Sequence, residues 1–373
     1  MSNPFTLRIA QREDFCDRKK ETADLLTHAR NCNNVVLFSP RRYGKSLLIK
    51  QLFDILQKDN FMTVYVDLFP ISSERHFISR FSNAVLKGIG RGADPRSFIE
   101  KAGRIFKMIV PNIEVKPDGF NISAKFDNTL GADLLLDDLM EGLFDYVEKK
   151  KLKVCIAMDE FQEITELPES KKIEGILRSH IQAQKGIAYF YIGSRRRILH
   201  DMFSDKKRPF YKSAYSYMLK EIPRDDFVHY IEQKFNKTNK SCPEVVAGKI
   251  YDSVRGYPYY VQKLASIAWD ITARSCTANM VSQSYNALLE IEAPDFEGIW
   301  SGLSLIQKSV LRAIAKEPTP SPYAREFLEL HRLSLGGTQR AMQALLSKDI
   351  IEKDGQNKYR VTDPILGAWI NIE

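Results

Sequence analysis

Residues 35–48 read VVLFSPRRYGKSLL, a short apolar run followed by an Arg-bearing turn and then by Gly44, Lys45 and Ser46. This order predicts a strand, a loop and the beginning of a helix. A loop with inward-pointing N–H groups at the positive end of a helix dipole favours a phosphate group. In such a loop Gly44 lets the main chain come close, Lys45 reaches the phosphates, and the Ser46 hydroxyl suits Mg²⁺.

The loop departs by one residue from the G-x-x-x-x-G-K-[ST] pattern, because Ser39 occupies the place of the first glycine. A solvated basic turn is the alternative explanation for the loop. The flanking strand and helix are the context that a phosphate site needs, and they favour it. The residues expected to contact a nucleotide here are Pro40, Arg41, Arg42, Tyr43, Gly44, Lys45, Ser46 and Leu47.

A second candidate segment, KVCIAMDEFQEI at residues 153–164, is an apolar strand that ends in Asp159 and Glu160. Ligands of open α/β sheets lie beyond the carboxyl ends of the strands, so this segment and the loop are expected to meet. Asp159 would hold Mg²⁺, and Glu160 would orient or deprotonate an attacking water.

The next apolar run, residues 187–194, ends in Ser194 and is followed at once by three arginines. Ser194 stands where a small polar side chain can sense a γ-phosphate or a water, although an ordinary strand-ending serine explains it equally well. An arginine can stabilise the charge of a transferring phosphoryl group. Arg195 is the first candidate, and the sequence leaves open which arginine acts.

Alternating apolar strands and helical patterns predict an α/β fold with a parallel, doubly wound sheet sandwiched by helices. Strands are expected at residues 35–38, 61–69, 153–160 and 187–194, and a β-hairpin insertion at about residues 112–126 around Pro117-Asp118-Gly119. Helices are expected at residues 15–30, 45–56, 77–86, 96–108, 132–150 and 173–184.

The strand signal fades after residue 225, where four helical stretches at 225–235, 244–254, 259–272 and 281–291 predict a helical lid. A connector at 294–300, two helices and a ribbon around Asp354-Gly355 then fit a winged helix. The expected domains are therefore residues 1–222, 223–293 and 294–373. Within the lid, Gly256 and Pro258 form a turn at the start of a helix, where glycine supplies the bend and proline suits the first helical turn.

The chain has 373 residues, 44% of them hydrophobic, and a formal net charge of +8. Two or three domains are expected at this length. The charge allows acidic partners such as nucleotides or nucleic acid, and solvated basic faces are the alternative. Five widely spaced cysteines favour neither a disulfide framework nor a zinc site. Without a membrane-length apolar run, a soluble cytoplasmic protein is expected.

The ordered set of SPRRYGKS, DEFQEI, YIGSRRR, the KRPFY segment at residues 207–211, GYPYYVQ and the winged helix resembles the archaeal-type P-loop ATPases. This family lies among the AAA-like and STAND ATPases. The resemblance implies ATP and Mg²⁺, with Lys45 and Ser46 as phosphate and metal residues. It also implies that Asp159 and Glu160 are the Walker B pair, that Ser194 is the sensor, and that the Gly256-x-Pro258 turn lies against the adenine.

The leading interpretation is a slow ATP hydrolase that acts as a nucleotide-driven switch. The sequence allows a homo-oligomer and leaves the oligomeric state open. The alternative is a DNA-binding regulator or protein-docking adaptor whose nucleotide site is structural. A small-molecule kinase is disfavoured, because a glutamate beside the Mg²⁺ aspartate suits attack by water.

The winged helix offers two partners, duplex DNA and protein. Its recognition helix is expected at residues 337–348, with Thr338, Gln339 and Arg340 near the bases. Lys353, Lys358 and Arg360 of the ribbon would contact phosphates. Three neighbouring carboxylates dilute this positive charge: Asp349, Glu352 and Asp354.

Overall fold

The computed structural model describes residues 2–5, 16, 18–90, 106–116, 119–127 and 129–372 of the chain. Within these ranges the chain divides into two compact units. The sheet unit comprises Lys19–Ser39 and Leu48–Leu219, and the lid–wing unit comprises Met1–Arg18, Pro40–Leu47 and Lys220–Glu373. The predicted three-domain division stays a prediction.

The sheet unit contains a five-stranded parallel sheet with strand order β2-β5-β6-β1-β7. Its strands are β1 (Val35–Phe38), β2 (Met62–Asp67), β5 (Val154–Asp159), β6 (Ile187–Gly193) and β7 (Tyr215–Met218). Its helices are α1 (Lys19–Arg30), α2 (Lys45–Lys58, which begins in the loop), α3 (Glu74–Gly90), α4 (Ala132–Lys150), α5 (Ser170–Ala183) and α6 (Arg196–Ser204). The predicted doubly wound α/β fold is confirmed.

Strands β5 and β6 are buried along their entire length. A parallel strand covered by helices on both faces must be apolar throughout, which explains the unbroken runs VCIAM and IAYFYI. The core of this unit includes the fully buried side chains of Phe77, Phe81 and Tyr191. Burial of apolar area from helices and strands together stabilises the sheet.

Strand β7 is an edge strand that the sequence did not predict. It has four residues, most of them exposed, so no buried apolar run marks it. It pairs with β1, and the Tyr215 N–H donates to the Asn34 carbonyl at 2.8 Å. Tertiary pairing, not a local pattern, therefore produces this strand.

The predicted hairpin is confirmed as β3 (Ile109–Lys116) and β4 (Gly119–Phe126), an antiparallel pair that forms a sheet of its own. Pro117 and Asp118 of its turn lie outside the described residues. So do residues 96–105 of the predicted helix at 96–108, and residues 106–108 are not helical.

The lid–wing unit is mainly helical. Its lid helices are α7 (Arg224–Asn236), α8 (Glu244–Ser253), α9 (Pro258–Ile271) and α10 (Ala278–Ser301). The winged helix contains α11 (Leu305–Lys316), α12 (Arg325–Leu330), α13 (Leu335–Ser347), β8 (Ile351–Lys353), β9 (Tyr359–Val361) and α14 (Pro364–Ile370). Helix α11 begins at a capping box formed by Ser304 and Gln307.

The connector predicted at residues 294–300 is wrong, because α10 continues through Pro294 to Ser301. Proline removes one N–H donor, and packing can offset that loss. Phe296, beyond the proline, is buried and its ring lies 6.1 Å from that of Trp369. Burial against the winged helix therefore maintains the helix.

None of the five cysteines forms a disulfide among the described residues. Among the described residues, the helices include none with the length and apolar content required to traverse a bilayer.

Candidate functional site

The loop at residues 40–47 follows β1 and runs into the first turn of α2, as its sequence predicted. Gly44 has a φ of 84° and Arg42 a φ of 61°, both in the left-handed region. Left-handed residues of this kind occur in anion-binding loops, whose backbone N–H groups converge on a ligand. Helix α2 begins at Lys45, which places Ser46 in its first turn. The Lys45 side chain is buried, and its ammonium group donates to the Pro40 carbonyl at 3.0 Å.

The turn at the start of α9 contacts the loop directly. The Tyr257 hydroxyl donates to the Arg41 carbonyl at 2.6 Å, and the Tyr257 ring meets the Tyr43 ring edge-on at 4.8 Å. Gly256 has a φ of 64°, and a Cβ at that position would lie 2.4 Å from the Tyr251 ring. Pro258 occupies the first turn of α9. Glycine and proline therefore fix the turn that presents Tyr257.

Three further contacts hold the loop within the lid–wing unit. The buried Arg18 guanidinium donates to the carbonyls of Lys220, at 2.7 Å, and Tyr43, at 3.4 Å. The Arg42 guanidinium lies 4.3 Å above the Tyr259 ring. Burial, helped by the nearby Glu221 carboxylate, raises the pKa of the Tyr43 hydroxyl, so this phenol is neutral.

The predicted Walker B residues lie at the carboxyl ends of the strands of the sheet unit. Asp159 ends β5 and is buried. Its Oδ2 accepts a short hydrogen bond from the Tyr65 hydroxyl on β2, and its Oδ1 accepts from the Glu160 N–H at 3.1 Å. Strand β1 ends in register with β6, with Phe38 paired with Gly193. Sequence reasoning missed Tyr65, which no local pattern marks.

Glu160 and Ser194 are brought together across the ends of β5 and β6. The Ser194 hydroxyl donates to Glu160 Oε2 at 2.9 Å, and its N–H donates to the same oxygen at 3.3 Å. The Gln162 amide donates to that oxygen at 2.5 Å. Glu160 itself has a φ of 52°, a conformation that non-glycine residues adopt at a cost and that recurs at functional sites.

Arg195 forms ion pairs with two carboxylates. It donates to Glu166 at 2.7 Å and lies 3.9 Å from Glu163. Burial raises the pKa of the Glu163 carboxyl, and the positive charge of Arg195 opposes that rise. To act on a phosphoryl group, Arg195 would first have to leave Glu166.

The structure thus gathers the predicted residues in two sets. Asp159, Glu160, Ser194 and Arg195 lie together in the sheet unit. The loop and the Gly256–Pro258 turn lie together in the lid–wing unit. Across the described ranges, no cluster of three His, Cys, Asp or Glu side chains could hold a metal. The two predicted Mg²⁺ donors, the Ser46 hydroxyl and the Asp159 carboxylate, belong to different units, and their shared site stays a prediction.

The KRPFY segment contributes to the core of the sheet unit. Arg208 donates to the fully buried Glu174 carboxylate at 2.5 Å. Phe210 packs at ring distances of 5.3 to 5.5 Å against Phe161, Tyr191 and Phe203. Arg208 and Phe210 of the KRPFY segment therefore have structural roles in the core of the sheet unit.

The winged helix corrects two of the expected contacts. Thr338 is buried and its hydroxyl donates to the Ser334 carbonyl at 2.8 Å, so it cannot reach a base. Arg360 is half-buried and paired with Glu352 at 2.8 Å, so its charge is already matched. Gln339 and Arg340 remain exposed on α13, and Lys353 and Lys358 on the ribbon.

Two family models match the chain. Residues 15–264 match an ATPase domain predominantly from Archaea, and residues 294–372 match a probable winged helix domain. None of the curated proteins matches.

Solved structures share the fold. The Walker-type ATPase PABY2304 of Pyrococcus abyssi is similar over 98% of this chain and 99% of its own, with a TM-score of 0.68 and 18% identity. The ORC2 protein of Aeropyrum pernix, solved in ADPNP–ADP complexes, is similar over 99% of this chain and 96% of its own, with a TM-score of 0.59 and 14% identity.

The fold and the loop define a P-loop ATPase with a C-terminal winged helix. Because the archaeal ATPase model matches more than half of its length, the chain belongs to this family of ATPase domains.

Proposed function

We propose that the chain binds ATP with Mg²⁺, hydrolyses it slowly, and acts as a nucleotide-driven switch of the STAND type. One observation carries the proposal. The Glu160 carboxylate is fixed beside Asp159 by Ser194, at the edge of the sheet where β1 also ends. Ligands of parallel α/β sheets bind at this edge.

In this proposal Lys45 binds the phosphates and Ser46 and Asp159 hold Mg²⁺. The ion, when bound, neutralises charge on the phosphate oxygens. Glu160 orients the attacking water and accepts its proton, which a carboxylate in a fixed position does efficiently. Tyr257 keeps the Gly256–Pro258 turn against the loop, which suits this turn as the adenine contact.

Two variants test the assignment by calorimetry with ATP and by phosphate release. Lys45→Ala should abolish ATP binding, because it removes the charge that faces the phosphates. Lys50→Ala, which removes an exposed lysine of the same helix, should bind as the wild type does. Glu160→Gln should bind ATP and Mg²⁺ but lose roughly 10²-fold or more in kcat. Wild-type affinity in Lys45→Ala, or wild-type turnover in Glu160→Gln, contradicts the site.

We also propose that the winged helix binds duplex DNA. The exposed surface of α13 includes Gln339, Arg340 and Gln343, the exposed Lys348 follows its last residue, and no acidic side chain lies among the described residues of this helix. Amide and guanidinium groups are the usual readers of base edges. The protein-docking alternative follows if no duplex binds. A cytoplasmic location and a homo-oligomer stay predictions.

A further inference from the structure

The side chain of Gln162 is positioned by Glu160 and Gly193, which lie outside its own 3₁₀ turn. It is 1% exposed and lies in the 3₁₀ turn Phe161–Glu166 that directly follows Glu160. Its amide nitrogen reaches back to Glu160 Oε2 at 2.5 Å. Its amide oxygen is buried and accepts no hydrogen bond from the described residues. Such an orphaned acceptor costs free energy, so the orientation of the amide is dictated by its donor side.

Gly193 makes room for this amide. A Cβ at position 193 would lie 2.0 Å from Gln162 Oε1 and 3.2 Å from its Cδ. Gly193 is the last residue of β6, in a conformation open to any residue, so the need for glycine here is steric. The β6 end therefore supplies a gap for Gln162 at residue 193 and two donors to Glu160 at Ser194.

The three donors converge on one oxygen of Glu160. Both bonds from Ser194 and the bond from Gln162 end on Oε2, and no described residue donates to Oε1. A carboxylate held in this way has one oxygen fixed and the other open to a water. A misplacement of about 1 Å in such a group can cost 10²-fold in rate, so fixing the carboxylate matters.

We propose that Gln162 is a positioning residue for hydrolysis: its amide, lodged in the gap at Gly193, fixes Glu160 so that Oε1 faces the attacking water. The inference rests on the proposed ATPase function. It predicts that Gln162 affects kcat and leaves nucleotide binding unchanged, because the Gln162 amide acts on the proposed base Glu160.

The first pair of variants separates the hydrogen bond from packing. Gln162→Glu keeps the shape and replaces the donor by an oxygen, whereas Gln162→Ala removes both. In single-turnover assays with labelled ATP, each should lower the rate by roughly tenfold or more, with the ATP Kd within about threefold of wild type. Thr165→Val is the control. It removes a hydrogen bond to the Gln162 backbone carbonyl in the same turn and should hydrolyse ATP as the wild type does.

The second set of variants tests whether the effect of Gln162 on the rate depends on Gly193 and Glu160. Gly193→Ala should lower the rate as Gln162→Ala does, and the double variant should fall no further, because both changes remove the same bond. In a Glu160→Gln background, Gln162→Glu should cause no additional loss.

Four outcomes separate the possibilities. If Gln162→Glu hydrolyses ATP as fast as the wild type or faster, the positioning role of Gln162 is overturned. The proposed function stands in that case, because the wild type still binds and hydrolyses ATP. Additive losses from Gly193→Ala and Gln162→Ala, or a further loss in the Glu160→Gln background, also overturn the positioning role. A wild-type chain that hydrolyses no ATP removes the proposed function, and the inference falls with it.

Discussion

Replacing Arg208 by methionine should destabilise the sheet unit by an amount that depends on pH. Arg208 pairs with Glu174 at 2.5 Å, and the Glu174 side chain is fully buried while that of Arg208 is 21% exposed. Removing one partner of a buried ion pair leaves an uncompensated charge, which costs about 3 to 5 kcal/mol. Because Arg208 is partly hydrated, we expect the lower end, about 3 kcal/mol at pH 8.

The pH dependence follows from the carboxyl group. Burial already raises the pKa of Glu174, and the charge and hydrogen bond of Arg208 oppose that rise. Without Arg208 the folded-state pKa climbs further above the unfolded value. The native state then binds a proton that the unfolded state has released, so stability falls as pH rises through this window. The deficit should therefore be smaller at pH 5.5 than at pH 8.

Urea titration followed by circular dichroism measures both quantities. The matched control is Lys207→Met, which removes an exposed positive charge one residue away and should change the free energy of unfolding by less than about 0.5 kcal/mol. Arg208 Nε and Glu174 Oε2 are buried without hydrogen-bond partners among the described residues, so the pair is incompletely satisfied. Glu174→Leu with Arg208→Met should therefore recover at least half of the loss. Unchanged unfolding of Arg208→Met at pH 8, or an equal deficit at both pH values, refutes this reasoning.

Three further predictions concern the lid–wing unit. Tyr257→Phe removes the 2.6 Å hydrogen bond to the Arg41 carbonyl and should lower the free energy of unfolding by about 1 kcal/mol. The Tyr259 hydroxyl lies 3.5 Å from Glu292, so the control Tyr259→Phe should lose less than half of that. Equal losses in a urea titration would count against a special role for Tyr257. Gly256→Ala should lower the free energy of unfolding by at least about 1 kcal/mol, because the φ of Gly256 is 64° and a Cβ there would meet Tyr251. At Gly336 an added Cβ would have no atom within 4 Å, so Gly336→Ala should be neutral or stabilising by thermal denaturation. Arg340→Ala should weaken binding of a labelled duplex, and Lys358→Ala should flatten the log–log salt dependence by about one unit; no saturable binding at low salt, with or without ATP, assigns the winged helix to protein docking.

The sequence alone determined the fold class and the chemistry of the candidate site. The apolar runs of β5 and β6, the Gly44-Lys45-Ser46 turn and the Asp159-Glu160 pair are local patterns, and each specifies an element or a functional group without reference to the rest of the chain. Parallel strands buried on both faces leave an unbroken apolar signature, which is why the sheet was predictable.

Only the tertiary structure decided which side chains act on one another. Tyr257 meets Arg41 at a separation of 216 residues, and Ser194 meets Glu160 at a separation of 34. Neither pairing has a sequence period, because it depends on which strand ends lie side by side and which turns are packed together. Thr338 shows the same limit. The sequence predicted it on the exposed face of the recognition helix, but the packing of α13 buries it. Local preference selects the elements; burial and register select the contacts between them.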